Sequence, residues 1–412
     1  MKRLLCTVAV LCLTLGSAFA ELDPSKRFVE LGFDVGFSAG QNALGIRDVL
    51  TKDLIIDMTD LAKRDFKLNF GFAPGIHFNV NVNGIGVGLQ TDLDFHTNFT
   101  IDQALFKFLA EGNELNESQT IGMSANLESF LTASIPVRFK VGKLGFKVVP
   151  TYFVPIAYLP EPRAQVTYST NEDGTVRAEA TASFDLYTAF DASSILAENH
   201  SLPEVSEILK EAKNGGFDLS AVVEYALFDS LDLGGYINMP IYPGTLNHHA
   251  YGTATFNFEM VGLLDWATSD PKPEKPFDDP ETYWSDLQYD ENGYKVNRPF
   301  RFGVEAAWRP VGDWFVVHPK LGLAAKNPFG KDFNVHSLYP EYSISAYMTF
   351  LYVLGFNVTT AYQDHVFSHN LGLRFNARVF ELDMSIGTSN SDFLRSFSLG
   401  GLETKVGVKM GF

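Results

Sequence analysis

The feature that most constrains this chain is a two-residue hydrophobic period carried through runs longer than soluble strands usually reach. At the end of the sequence Leu402, Thr404, Val406, Val408, Met410 and Phe412 alternate with Glu403, Lys405, Gly407, Lys409 and Gly411. Ile76, Phe78, Val80 and Val82 alternate with His77, Asn79 and Asn81, and Val87, Leu89, Leu93 and Phe95 are set against Gln90, Asp92 and Asp94. Asn83-Gly84 joins those two runs with the dipeptide of a type I′ hairpin turn. The pattern returns with Phe300, Phe302, Val304 and Trp308 against Arg301, Glu305 and Arg309, and with Phe367, Leu371, Leu373 and Phe375 against Asn370, Arg374 and Asn376. Successive strand residues point to opposite faces, so each run has one greasy and one polar face. The runs are about 9 to 13 residues long; a tilted strand crossing a bilayer needs about 9 to 11, whereas the average soluble strand has about 5 or 6.

Alternation by itself also fits a soluble sandwich, in which the apolar face meets a second sheet. Three features point instead to lipid. Aromatics stand at the ends of runs, as with Tyr152 and Tyr158, Tyr342 and Tyr352, and Trp308 and Trp314, where interfacial girdles place them. Tight connections at Asn83-Gly84, Gly142-Lys143 and Val311-Gly312-Asp313 interleave with long polar loops. The last amphipathic run ends on an aromatic residue, Phe412. The expected fold is all-β, a transmembrane antiparallel β-barrel of about 14 to 16 strands with short helical insertions. Lys and Arg number 32 against 49 Asp and Glu, so a phosphate-binding basic stripe is lacking and nucleic acid is excluded as a partner.

The first segment reads as an address and not as part of the fold. Lys2 and Arg3 precede the apolar stretch Leu4 to Leu15, and Ala18-Phe19-Ala20 supplies an A-x-A cleavage site, so residues 1–20 are expected to be a cleaved signal peptide and residues 21–412 the barrel. Both cysteines, Cys6 and Cys12, lie in that segment, which removes disulfides and thiolate chemistry from the remainder.

With the signal sequence, the terminal run Val406-Gly407-Val408-Lys409-Met410-Gly411-Phe412 and the many candidate strands, the chain resembles the bacterial outer-membrane β-barrel class. Its size and helical interruptions make it most similar to the FadL-like transporters of long-chain fatty acids and other hydrophobic compounds. The resemblance implies location in the bacterial outer membrane, contact with outer-membrane lipid, and recognition of Val406, Val408, Met410 and Phe412 by the barrel assembly machinery. It also implies a channel or transporter for hydrophobic or small nutrients, with a hydrophobic small molecule as substrate.

Along the chain, Arg27 to Phe37 reads as a strand or a plug element and Gln41 to Lys63 as a helix, with Ile46, Val49, Leu50, Ile56 and Leu61 near 3.6-residue spacing. Short helices are expected near 101–110 and 203–212, and a long acidic loop near 264–299. Sixteen strand-like runs can be drawn, among them 175–190 and 250–263. An even count keeps both barrel ends on one side. Sixteen, however, puts the helical stretch 191–216 on the periplasmic side and the tight Asp229-Ser230 turn outside, so fourteen stands equally.

Site chemistry is thinner. Glu30, Asp34, Asp92, Asp94, Arg138, Lys140, Arg177, Glu179, Arg301, Glu305, Arg309, Arg374, Arg378, Glu381 and Asp383 fall on the polar faces and are expected to line the lumen, as a hydrated wall of paired charges or as a transverse selecting field. His248, His249, His365 and His369 do not make a metal set, because adjacent histidines on a strand point apart. Neither a G-x-S-x-G elbow nor an EF-hand spacing occurs, so enzyme activity, metal and cofactor are not expected. Two functional classes remain. Residues 41–63 plug a conduit with Ile46, Leu50, Leu54 and Leu61 facing ligand or wall, or they face outward on a surface-display scaffold.

Overall fold

The computed structural model describes residues 27–42, 62–111, 117–160, 163–170, 175–191, 210–260, 281–284, 288–326, 337–351, 353–377, 379–391, 393–397 and 401–412, with the single positions 193 and 206. The long alternating runs become the staves of a closed ring. In chain order they are β1 (Val29–Gln41), β2 (Phe66–Val82), β3 (Ile85–Ile101), β4 (Ser118–Ser134) with β5 (Val137–Val141), and β6 (Leu144–Leu159). Between β6 and the next stave come β7 (Arg163–Thr170) and β8 (Val176–Thr188), followed by β9 (Gly216–Phe228) and β10 (Leu231–Tyr242). The short strand β11 (Gly244–Leu246), the long β12 (His248–Met260) and the short β13 (Glu281–Trp284), β14 (Gln288–Asp290) and β15 (Tyr294–Val296) come next. Then follow β16 (Phe300–Trp308), β17 (Phe315–Ala325), β18 (Tyr339–Phe350), β19 (Leu354–Gln363), β20 (Val366–Ala377), β21 (Phe380–Asn390) and β22 (Gly401–Gly411). Two helices are described, α1 (Gln103–Glu111) and α2 (Phe393–Ser396).

Antiparallel pairing runs from β1 through β2 and β3 to β4 and β5, to β6, β9, β10 and β16, and on through β22, which pairs back with β1 from Glu30↔Gly411 to Gly40↔Gly401. Counting β4 and β5 as one stave, the circuit among the described residues has fourteen. The two halves of that stave are separated by Ile135-Pro136, where proline offers no N–H; the ladder resumes as Gly88 N–H donates to the Pro136 carbonyl at 2.8 Å. Closure matters because lipid satisfies no free strand edge.

Fourteen resolves the parity conflict. The runs expected at 175–190 and 250–263 are strands, β8 and β12, but they leave the wall. The upper end of β4 pairs with β7, β7 with β8, β8 with β12, and β12 with β13 and β14, building a sheet that rises from the rim. The turns at Asn83-Gly84, Gly142-Lys143, Asp229-Ser230 and Val311-Gly312-Asp313 then share the rim where Val29 and Phe412 exchange backbone hydrogen bonds of 3.0 Å in both directions. We call this the lower rim. Asn83 and Gly84 both take positive φ, 50° and 82°, the type I′ geometry that suits strand twist.

Several boundaries differ from the sequence expectation. Gln41 ends β1 instead of opening a helix; residues 43–61, which carry Ile46, Leu50, Leu54 and Leu61, lie outside the described residues. Within the helix expected at 203–212 the described positions Ser206 and Lys210 are helical, and a 3-10 turn at Glu211–Asn214 carries it beyond the expected end. The stretch expected as one acidic loop at 264–299 contains β13, β14 and β15. Strands of three or four residues are too short for a period of two to register in the sequence. Residues 1–26, and with them the expected signal peptide, lie outside the described residues.

The outward face of the ring is apolar. Leu31, Phe33, Ile76, Leu89, Val304, Leu321, Val358, Leu371 and Ile386 are each at least half exposed and belong to eight staves. A water-soluble barrel would leave such a belt uncovered at a large free-energy cost, since each aliphatic side chain gains about 1.5–3 kcal/mol on leaving water. The belt is the lipid-facing surface of a transmembrane barrel. Trp308 and Trp314 project outward at the lower rim, and α1 packs Ala104, Leu105 and Phe108 under β4 and β7 against Ile121 and Tyr168. Asp102 caps α1 by accepting from Ala104 N–H at 2.8 Å.

Candidate functional site

Closing an alternating sheet turns every polar face inward, so the site is the lumen. A cavity of about 1310 Å³ occupies it, with Glu30, Asp92, Asp94, Arg309 and Arg374 on its wall. Its lining carries five carboxylates (Glu30, Asp34, Asp92, Asp94 and Asp383) and six basic side chains (Arg138, Arg298, Arg309, Arg374, Lys405 and Lys409). The chain as a whole has a formal charge of -17, so the excess of acid lies elsewhere than on this lining. A low-dielectric wall surrounds these groups, and charges in such a place are stable only when paired.

Eight of these eleven are in ion pairs, and Asp92 accepts from the Gln90 amide at 2.8 Å. At the seam where β22 meets β1, Lys409 Nζ is 2.7 Å from Glu381 and 3.0 Å from Asp383, while Arg374 Nε is 2.6 Å from Asp383 and 3.4 Å from Glu381. Arg27, itself buried, reaches Glu30 at 3.0 Å and Glu381 at 3.5 Å and donates to Asn376 at 2.8 Å. Lys405 lies 2.7 Å and His77 3.6 Å from Asp34. Across the lumen Arg309 pairs with Asp232 at 2.8 Å, and Glu305 faces Lys320 at 3.9 Å. Arg301 sits higher, bridging Glu341 at 3.0 Å and Asp364 at 2.7 Å, and so fastens the β19–β20 turn to β16 and β18.

On the β4, β6 and β9 side, above the paired charges, the interior is filled by an aromatic and aliphatic cluster instead. Phe130 and Phe153 point inward and pack with Ala189, Leu246 and Val296, with Tyr158, Tyr187 and Tyr294 around them. Leu246 and Val296 come from the β11–β15 ribbon, which folds against the inner side of β6 and β9. Gly216 and Gly244 permit this approach, since the space a Cβ would need is taken at Gly216 by the Phe153 ring and the Gly244 backbone and at Gly244 by the Pro155 ring. The ribbon is tied down where Arg298 meets the buried Asp218 at 3.2 Å. Sequence periodicity missed this cluster because β11 and β15 have three residues each.

The remaining candidates separate. Arg177 and Glu179 lie on β8 in the rising sheet, away from the wall, and Arg378 is outside the described residues. His249 sits in that sheet between Asp185 (3.1 Å) and Asp290 (3.2 Å), stacked between Tyr187 and Tyr251, whereas His369 lies on the outer face of β20 beside Ser396. The Asn292 backbone N–H donated to Asp290, with the Asn292 amide and His249 adding, holds that carboxyl below its usual range. Among the described residues the outward-facing Val406, Met410 and Phe412 of the terminal stave are exposed, and Val408 is half-buried among them. Asn42 and Lys67 exchange hydrogen bonds of 3.1 and 2.7 Å at the upper rim, which ties the end of β1 to the start of β2.

No family model matches the chain, and neither does any curated protein sequence. Among solved structures it is similar to the CymD monoaromatic hydrocarbon channel (9% identity, 96% of this chain and 91% of that one, TM-score 0.48). It is also similar to the toluene transporter TodX of P. putida (10%, 93% and 89%, 0.46) and the toluene transporter TbuX of Ralstonia pickettii (8%, 96% and 91%, 0.46).

Proposed function

We propose that this protein is a channel of the bacterial outer membrane that admits small, largely apolar compounds. The observation that carries the reading is the lumen: a closed ring enclosing about 1310 Å³ whose charged groups are mostly ion-paired, with a buried aromatic and aliphatic cluster packed against the inner side of β4 and β6. A single-sign wall would concentrate counter-ions and conduct them. A largely paired wall has little net field, which suits neutral solutes, and Tyr347 on the cavity wall offers an aromatic contact to an apolar molecule. Residues 41–63, whose stem is clamped at the upper rim, serve in this reading as the plug, with Ile46, Leu50, Leu54 and Leu61 toward the conduit.

The test is a comparison of permeants. In proteoliposomes a monoaromatic hydrocarbon and a long-chain fatty acid, each offered with a charged solute of equal size, should show protein-dependent entry of the apolar member. In planar bilayers a salt gradient should give a reversal potential near zero, and deletion of 41–63 should raise conductance. If neither apolar compound enters above protein-free vesicles and the deletion leaves conductance unchanged, the channel reading fails and the surface-display scaffold replaces it.

A further inference from the structure

On the outer face of β20 and β21 the apolar belt is interrupted just below the upper rim. Leu371, Leu373, Met384 and Ile386 are exposed and apolar, but the next outward positions are His369 and Thr388, direct partners in the ladder, and His369 is in turn partnered by Thr360 on β19. A polar row across three staves at this height is costly against lipid. The chain covers it. α2 folds back over the outside of the wall, where Ser396 donates to the Phe393 carbonyl at 2.6 Å and its oxygen lies 2.8 Å from His369 Nε2. His369 Nδ1 meets the Thr360 hydroxyl at 3.2 Å, and the Phe397 ring stacks on His369 at 3.9 Å. Ser396 and Thr388 are buried as a result, at 0% and 6% exposure.

What α2 presents outward in exchange is apolar: Phe393, Leu394 and Phe397 remain 46%, 78% and 58% exposed. Phe393 also packs edge-on against Phe367, which stacks near Tyr362 at 4.3 Å, so the new surface is continuous with outward aromatics of the same wall. A single helical turn is not stable by its own hydrogen bonds. Its place over the polar row, and the continuity of its exposed side with the belt beneath, identify the occupant as lipid. We propose that α2 and Phe397 form an interfacial foot immersed in the outer leaflet, carrying the lipid-facing surface above the end of the β-ladder's own apolar rows.

Site-directed spin labelling in proteoliposomes tests this. In a background with Cys6 and Cys12 replaced by serine, Leu394→Cys is labelled and compared with Leu371→Cys as the lipid reference and Asp313→Cys, in a lower-rim turn, as the water reference. Leu394 is mostly exposed, so the label disturbs no packing; Phe397→Cys gives a second reading if the first variant fails to show folded gel mobility. The expected result is that collisions with oxygen exceed those with a water-soluble nickel chelate at 394, as at 371. Chelate access at 394 matching that at 313 overturns the proposal. So does protection from both relaxants with spin–spin broadening, which would put a second copy of the chain there.

Discussion

Replacing Lys409 by methionine isolates the energetics of the lumen seam. Three cations, Arg27, Arg374 and Lys409, face three carboxylates, Glu30, Glu381 and Asp383, across β1, β20, β21 and β22. The Glu381 side chain is 2% exposed, and its Oε2 accepts no hydrogen bond. Removing one partner of a buried pair costs about 3–5 kcal/mol because the other charge is stranded. Arg374 at 3.4 Å and Arg27 at 3.5 Å still face Glu381, so the loss belongs at the lower end, about 3 kcal/mol. Adding Glu381→Gln leaves two cations against two carboxylates, and the double variant should recover to within about 1 kcal/mol of the parent. Equilibrium urea unfolding of the refolded barrel in detergent micelles, followed by tryptophan emission, measures all three variants. If the double variant loses the sum of the two single losses, the charges act independently and the network account is wrong. An inward polar position here is a paired and partly buried one.

Val406→Lys, in the middle of β22 and exposed to lipid, should cost about 2–4 kcal/mol in the same assay, while Lys405→Gln, whose head is solvated in the lumen, should cost less than about 1. Deleting Phe412, which closes the ring by hydrogen bonds with Val29, should lower the amount of heat-modifiable barrel in membranes; unchanged levels would remove its assigned role in assembly. The Asp290 carboxyl is held below its ordinary value, so its contribution to the rising sheet is present above about pH 4 and lost as pH falls through the lowered value. Hydrogen-exchange protection at residues 288–292, taken relative to the intrinsic rate at each pH, should therefore fall on acidification in the parent and change less in Asp290→Asn.

The period of two, by itself, determined that this chain forms long antiparallel staves and which face of each meets lipid, because side-chain direction alternates whatever the surroundings. Leu402 to Phe412, Ile76 to Val82 and Phe300 to Trp308 read correctly for that reason. Membership of the ring was another matter. β8 and β12 alternate as well as any wall strand, and what excludes them from the circuit is that β6 pairs with β9 and β10 with β16, contacts between residues some 60 to 80 apart in sequence. The lumen behaves likewise: alternation pointed Glu30, Asp92, Arg309 and Arg374 inward, but the sharing of Glu381 among Arg27, Arg374 and Lys409 follows from ring closure, which brings β1 beside β22. The aromatic cluster under the upper rim and the turn of α2 over His369 rest on segments of three to five residues, whose placement is set by tertiary packing because they are too short to carry a period of their own.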